Sequence, residues 1–142
     1  VSESITLQGK NQGTSNTTTI ASIAEIYKRI MAVDNSASVV VYTCGTSTKA
    51  AGSAFDSDDI KYVRMTNIGA QPINIKVVGT GNDTIWHQLI VGGTFLLFDH
   101  SASLEASNAD VAHGAVSLLD VSQVEAMGIG GAGKLEVIIA NA

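Results

Sequence analysis

The stretch "GIGGAGKL", residues 128–135, has the residue types that bind phosphate groups. Gly128, Gly130 and Gly133 satisfy the G-x-G-x-x-G spacing, and Lys134 adds a cation as in a P-loop. A P-loop needs Ser or Thr next to reach Mg²⁺, but Leu135 stands there. Both motifs also need a helix to begin at the glycines, whereas "LEVIIANA" is β-prone. The pattern therefore predicts a flexible hairpin loop and no nucleotide or other cofactor.

Three histidines could offer nitrogen ligands to a metal ion. His87, His100 and His113 are evenly spaced, with Asp99 and Asp110 nearby in sequence. Zinc sites are typically announced by close pairs such as H-x-H or C-x-x-C, which this spacing lacks. We expect no metal here, and His87 beside Trp86 is interpreted as a surface or interface residue of a strand.

Acidic and thiol groups also fall short of a site. Asp56, Asp58 and Asp59 in "DSDD" have alternate spacing like some calcium loops, but the central glycine and final glutamate of such a loop are absent. Cys44 lies in the apolar run "VVVYTC", which favours a buried small hydrophobic residue over a nucleophile. There is no G-x-S-x-G elbow. We expect no catalytic, cofactor or metal residues, and no enzyme.

Composition narrows the class of protein. The 142 residues are 45% hydrophobic, 15% charged and 5% aromatic, with a formal net charge of −5. Such a chain can bury a core and is not disordered. A negative chain with scattered Lys and Arg lacks the basic surface of a nucleic-acid-binding protein. No run approaches a membrane span, and the first residues lack a signal-peptide pattern, so we expect no membrane contact and an intracellular origin.

Short alternating runs separated by Gly, Asn and Asp turns must position any site. They predict an all-β fold, an antiparallel β-sandwich of jelly-roll type with about eight strands. Residues 20–31 fit a short helix as well as a strand, and we favour a strand from residue 26. We expect an N-terminal strand and polar arm over residues 1–19 and one sandwich domain over residues 20–142.

A shift of 34 positions superimposes residues 27–47 on residues 61–81. The matching pairs are Met31 with Met65, Val39 with Ile73, Val41 with Ile75, Gly45 with Gly79 and Thr46 with Thr80. Each segment has a strand, a small polar turn and a second strand. The pattern predicts two copies of one hairpin architecture.

Few charges and many Ile, Val and Ala residues predict assembly, because exposed sheet edges are commonly covered by symmetric oligomerisation. We expect a homo-oligomer, with a trimer favoured. The polar arm, residues 9–19, is predicted to reach a neighbour and order on contact.

Three stretches carry a family resemblance: "YVRMTNIGAQPINIKVVGTG", "HQLIVGGTFLLFDHSASLEA" and "VSQVEAMGIGGAGKLEVIIANA". Together they resemble small β-sandwich virion proteins of tailed bacteriophages, particularly marine and cyanobacterial phages. The resemblance covers roughly residues 60–142 and carries over no functional residue. It implies a head decoration or cement protein, or else a tail or neck component. The implied partners are further copies of the chain and other virion proteins such as the major capsid protein, and the implied location is the virion, after synthesis in the host cytoplasm.

A carbohydrate-binding module is the alternative from another class. Its candidate platforms are Trp86, Tyr42 and Tyr62, because sugars pack against exposed aromatic rings. Burial of these rings would count against that interpretation.

Overall fold

The computed structural model describes residues 6–7, 10–11, 19–45, 54–56, 59–79, 84–98, 105–106 and 119–142. The regular secondary structure of the described residues is almost entirely β-strand, which confirms the all-β prediction. The strands are β1 (Thr6–Leu7), β2 (Lys10–Asn11), β3 (Glu25–Val33), β4 (Val39–Gly45), β5 (Ala54–Asp56), β6 (Ile60–Asn67), β7 (Ile73–Gly79), β8 (Thr84–Leu89), β9 (Thr94–Phe98), β10 (Glu105–Ala106), β11 (Leu119–Gly128) and β12 (Gly133–Asn141).

Ten of the described strands form the two sheets of a sandwich, and the eight longer ones make up its main framework. Sheet 1 has the order β5-β4-β11-β7-β8, with β10 pairing to β11, and sheet 2 has the order β3-β12-β6-β9. The pairs β3–β12, β4–β11, β6–β9 and β7–β8 are all antiparallel. The chain is thus one long hairpin that folds back on itself across two sheets. This is the jelly-roll arrangement, and the fold prediction is confirmed.

The ambiguity at residues 20–31 is resolved in favour of the strand. Residues 19–24 have no regular secondary structure, and β3 pairs with β12 along its whole length. Met31 and Val33 point into the core, whereas Ile26 and Ile30 point outward. The short helix suggested near residues 20–31 is therefore wrong, because pairing with β12 selects the two-residue period over the helical stripe.

The two predicted hairpins are not hairpins. β3 and β4 lie in different sheets, and so do β6 and β7. The turns at residues 34–38 and 68–72 carry the chain across the sandwich. The internal similarity is nevertheless structural: Met31 and Met65 are buried in sheet 2, and Val41 and Ile75 are buried in sheet 1.

The core lies between the sheets and consists mainly of Val, Ile, Leu and Met. Its fully buried side chains include Val33, Val41, Val63, Met65, Ile73, Ile75, Leu89, Val124, Leu135, Val137 and Ile139. Burying each such side chain contributes roughly 1.5–3 kcal/mol. Stability therefore comes from burial without a disulfide.

Four short turns close one end of the sandwich around Asn67, the single buried polar residue among those described. The Asn67 side-chain amide donates to the carbonyl oxygens of Gln71 at 2.9 Å and of Leu89 and Ile90 at 3.2 Å each. Its side-chain oxygen accepts from the Gly69 N–H at 3.0 Å. Asn67 thereby joins the β6–β7 turn to the β8–β9 turn.

The backbone of Asn67 adds two further bonds to the β8–β9 turn. Its N–H donates to the Gly93 carbonyl at 2.9 Å, and its carbonyl accepts from the Gly92 N–H at 3.0 Å. Next along the chain, the Ile68 N–H donates to the Lys134 carbonyl at 3.0 Å. Every polar group of Asn67 is satisfied, as burial requires.

We expect Asn67→Ala to lower the free energy of unfolding by about 3 kcal/mol, because the substitution leaves several buried carbonyl oxygens without a hydrogen-bond donor. Urea denaturation measures the loss.

Asn67→Asp keeps the acceptor for Gly69 but places a carboxylate against those carbonyls. Its pKa is expected to rise in the folded state, so stability should fall as pH increases from about 3.9 through the raised pKa. An Asp variant that is equally stable at pH 4 and pH 7 would contradict this role.

Candidate interaction surface

The glycine-rich stretch of residues 128–135 is a packing device. β11 ends at Gly128 and β12 begins at Gly133, so the turn crosses between sheets and no helix follows. A Cβ on Gly133 would lie 2.8 Å from the Ile73 side chain. A Cβ on Gly69, in the neighbouring β6–β7 turn, would lie 2.6 Å from the backbone nitrogen of Lys134. The expected hairpin is wrong in its pairing. The glycines are needed for close approach of neighbouring chain segments.

The histidine and aspartate candidates form no described site. His87 is exposed, and its ring centroid lies 5.2 Å from that of Phe95 in the facing sheet. His100, His113, Asp99, Asp110 and Asp58 lie outside the described residues. No group of three or more metal-ligating side chains occurs within the described part of the chain.

The three aromatic candidates for sugar binding are separated. Tyr42 is buried and packs edge-on against Phe55 at 6.2 Å between ring centroids, and burial raises its pKa far above the usual range. Tyr62 lies half-buried in sheet 2, whereas Trp86 is exposed in sheet 1. The burial of Tyr42 counts against it as a sugar platform, whereas Trp86 is open to solvent.

Cys44, predicted to be a buried small hydrophobic residue, is half-buried and packs against the core.

The outer face of sheet 2 carries the most prominent exposed apolar side chains. Ile26 and Ile30 of β3 are 68% and 60% exposed, and Leu96 of β9 is 43% exposed. Ile138 of β12 is half-buried and lies on the same face, in register with Lys28 of β3 and Arg64 of β6. We call these residues, Ile26, Ile30, Leu96 and Ile138, the outer apolar face. Several exposed apolar side chains on one sheet face are typical of an interaction site.

Charges on the same side of sheet 2 form a ladder across three strands. The Glu136 carboxylate contacts Lys28 Nζ at 3.2 Å and accepts from Arg64 at 2.7 Å. These hydrogen bonds, first from Lys28 and then from Arg64, hold the pKa of Glu136 below its usual value of 4.5. Lys134 adds a further cation on β12, since it alternates with the inward-facing Gly133 and Leu135. Three cations and one carboxylate give this side a formal charge of +2.

A second exposed apolar cluster lies at the closed end of the sandwich. Ile68 follows Asn67, and Ile90 and Val91 belong to the β8–β9 turn that Asn67 holds. All three are exposed, although their backbones are fixed by the turn hydrogen bonds. The described surface therefore presents apolar side chains on rigid backbone.

Comparison of the chain with protein-family models, with curated proteins and with solved structures gave no match. Among the described residues, no helix is long and apolar enough to cross a membrane.

Sequence reasoning did not identify the outer apolar face. A signal was present in "EIYKRIMAV", which has apolar residues on both faces of its alternation. A strand with one solvated face should alternate apolar and polar residues, so a doubly apolar strand indicates cover on both faces.

The ladder around Glu136 predicts a measurable pKa pattern. In an NMR titration, the carboxyl pKa of Glu136 should lie below 4.5 and should rise in Lys28→Gln and Arg64→Gln variants. The contribution of this group to stability is present above its unfolded-state pKa and is lost as pH falls through the depressed folded-state value. Asp34 is the internal control. Its pKa is also lowered, by hydrogen bonds from Ser36, and should not respond to either substitution.

The packing role of the glycine-rich turn predicts that Gly133→Ala lowers the free energy of unfolding by about 1–3 kcal/mol through overpacking against Ile73. Gly45→Ala is the matched control, because a Cβ there meets nothing within 4 Å. Thermal melts of both variants measure the difference.

Mg-ATP should not raise the melting temperature of the native chain, and a rise with ATP concentration would restore the nucleotide interpretation.

Proposed function

We propose that the chain is a non-enzymatic structural protein of a virion: a capsid decoration protein that stabilises a phage head through oligomeric surface contacts. The observation that carries the proposal is the outer apolar face of sheet 2, and above all the exposed Ile26 and Ile30 on an edge strand. The sequence resemblance to tailed-phage virion proteins supports the same role.

The position of β3 makes these isoleucines suited to assembly. β3 has nine residues and lies at the end of the described strand order of sheet 2, with its pairing to β12 on one side. A long edge strand with apolar side chains invites another chain, and native proteins cover such edges. A symmetric oligomer covers them with further copies, which accords with the homo-oligomer expected from the sequence.

Charge defines the chemistry of the contact. The side of sheet 2 with the outer apolar face carries +2, whereas the chain as a whole carries −5. A partner surface that combines apolar and acidic groups would complement it. A second copy or an acidic capsid surface provides such a partner, and electrostatic steering then favours one orientation of approach.

Repetition of weak contacts supplies the affinity that a small surface lacks. On a shell with many equivalent positions, each bound subunit raises the effective concentration for the next contact. The major capsid protein and further copies of the chain are the proposed partners. The polar arm, residues 9–19, lies mostly outside the described residues, and its proposed reach to a neighbour stays a prediction.

A tail or neck component of the virion is the second candidate function, and it would use the same surface. Sugar binding on Tyr42 loses support, because that ring is buried.

The proposal predicts that Ile26→Ser with Ile30→Ser abolishes self-association without unfolding the sandwich, because both side chains are exposed. Light scattering across protein concentration should give an oligomer for the native chain and a monomer for the double variant. High salt should weaken association, since part of the contact is ionic. Val40→Ser, in sheet 1, is the control for loss of an exposed β-branched residue.

Binding to heads then separates the virion role from simple self-association. Purified protein added to phage heads that lack it should bind and raise the temperature at which they release DNA, and the double variant should do neither. A native chain that is monomeric at every concentration and does not bind heads would refute the proposal.

A further inference from the structure

Trp86 is a large aromatic residue exposed on sheet 1, the sheet opposite the outer apolar face. It is the one tryptophan in the chain, and 55% of its surface is exposed. It lies on β8, the edge strand of sheet 1, in register with Lys76 of β7. Because its neighbours on the inward side, Ile85 and His87, pair with the core residues Val77 and Ile75, Trp86 itself points away from the core.

A row of charged and polar side chains begins beside the indole. The Lys76 ammonium lies 5.6 Å from the ring centroid and 3.2 Å from a Glu125 carboxylate oxygen. The other Glu125 oxygen accepts from the Gln123 amide at 2.6 Å. One row of hydrogen-bonding groups thus runs from Trp86 across β7 to β11.

Two amide side chains lie on the same face, next along the two strands. Gln88 and Asn74 are in register with each other, two residues along from Trp86 and Lys76, and therefore share the same face. Neither is buried. Amide side chains provide both donors and acceptors, so they can bind a hydroxyl group in either sense.

We propose that Trp86, with Asn74, Lys76 and Gln88, forms a binding site for a neutral pyranose sugar. A pyranose ring has an apolar C–H face and a rim of hydroxyl groups. The flat indole fits the first, and the surrounding amide and ammonium groups fit the second. The proposal does not depend on the virion role, since it concerns the other sheet.

The same groups disfavour other ligands that stack on an indole. A cationic ligand on the indole would be repelled by the Lys76 ammonium, which lies 5.6 Å from the ring centroid. A nucleic acid requires local positive charge, but Lys76 is paired with Glu125. A neutral ligand rich in hydroxyl groups matches the site.

The single tryptophan makes the test direct, because tryptophan emission reports only on Trp86. The probes are cellohexaose, maltohexaose and laminarihexaose, titrated into the full chain. At least one should change the emission with saturation below about 10 mM. Gln88→Ala and Asn74→Ala should each raise its Kd about 3- to 10-fold, the equivalent of one hydrogen bond.

Trp86→Ala removes the probe, so saturation-transfer NMR with the same sugar measures its binding, which should be lost. Ile26→Ser on sheet 2 should leave the Kd unchanged. Absence of saturable change with all three sugars overturns the proposal, as does an unchanged Kd in both amide variants. Loss of self-association or head binding in Trp86→Ala, with no sugar bound by the native chain, would instead assign the ring to a protein contact.

Discussion

The closed end of the sandwich depends on one buried amide. Asn67 is the last residue of β6, and its side chain and backbone together bond to six other residues in or beside two turns. A buried amide has direction, whereas packed Val and Ile side chains do not. Asn67 therefore fixes how the β6–β7 and β8–β9 turns meet. Because each of these turns connects one sheet to the other, the same bonds help to fix the orientation of the two sheets and the packing of their inward residues.

Alternation along the strands was enough to predict an all-β sandwich and to favour a strand from residue 26. It was not enough to distinguish a hairpin from a turn that crosses between sheets, because both give inward residues at every second position. Met31 and Val41 would alternate identically in either arrangement. Asn67 was interpreted only as part of a polar turn, since its burial depends on carbonyl groups 22 and 23 residues away.

The candidate surfaces were predictable to different degrees. Trp86 was named from the sequence as one of three candidate platforms, but its exposure and its separation from Tyr42 follow from strand placement that the pattern did not contain. The exposed isoleucines of β3 are visible in the sequence only as a strand with two apolar faces. The two sheets consequently differ in chemistry: sheet 2 presents apolar and basic groups, and sheet 1 presents an indole among neutralised charges and amides.

The strand order also has a consequence for how the chain folds. β11 and β12, the last two strands described, lie between β4 and β7 and between β3 and β6 respectively. Neither sheet can close until residues 119–141 arrive, so a growing chain carries its earlier strands without their central partners. Such long-range pairing makes folding slow and leaves apolar strand edges open meanwhile. The chain is therefore most prone to wrong association with other chains before β11 and β12 take their places.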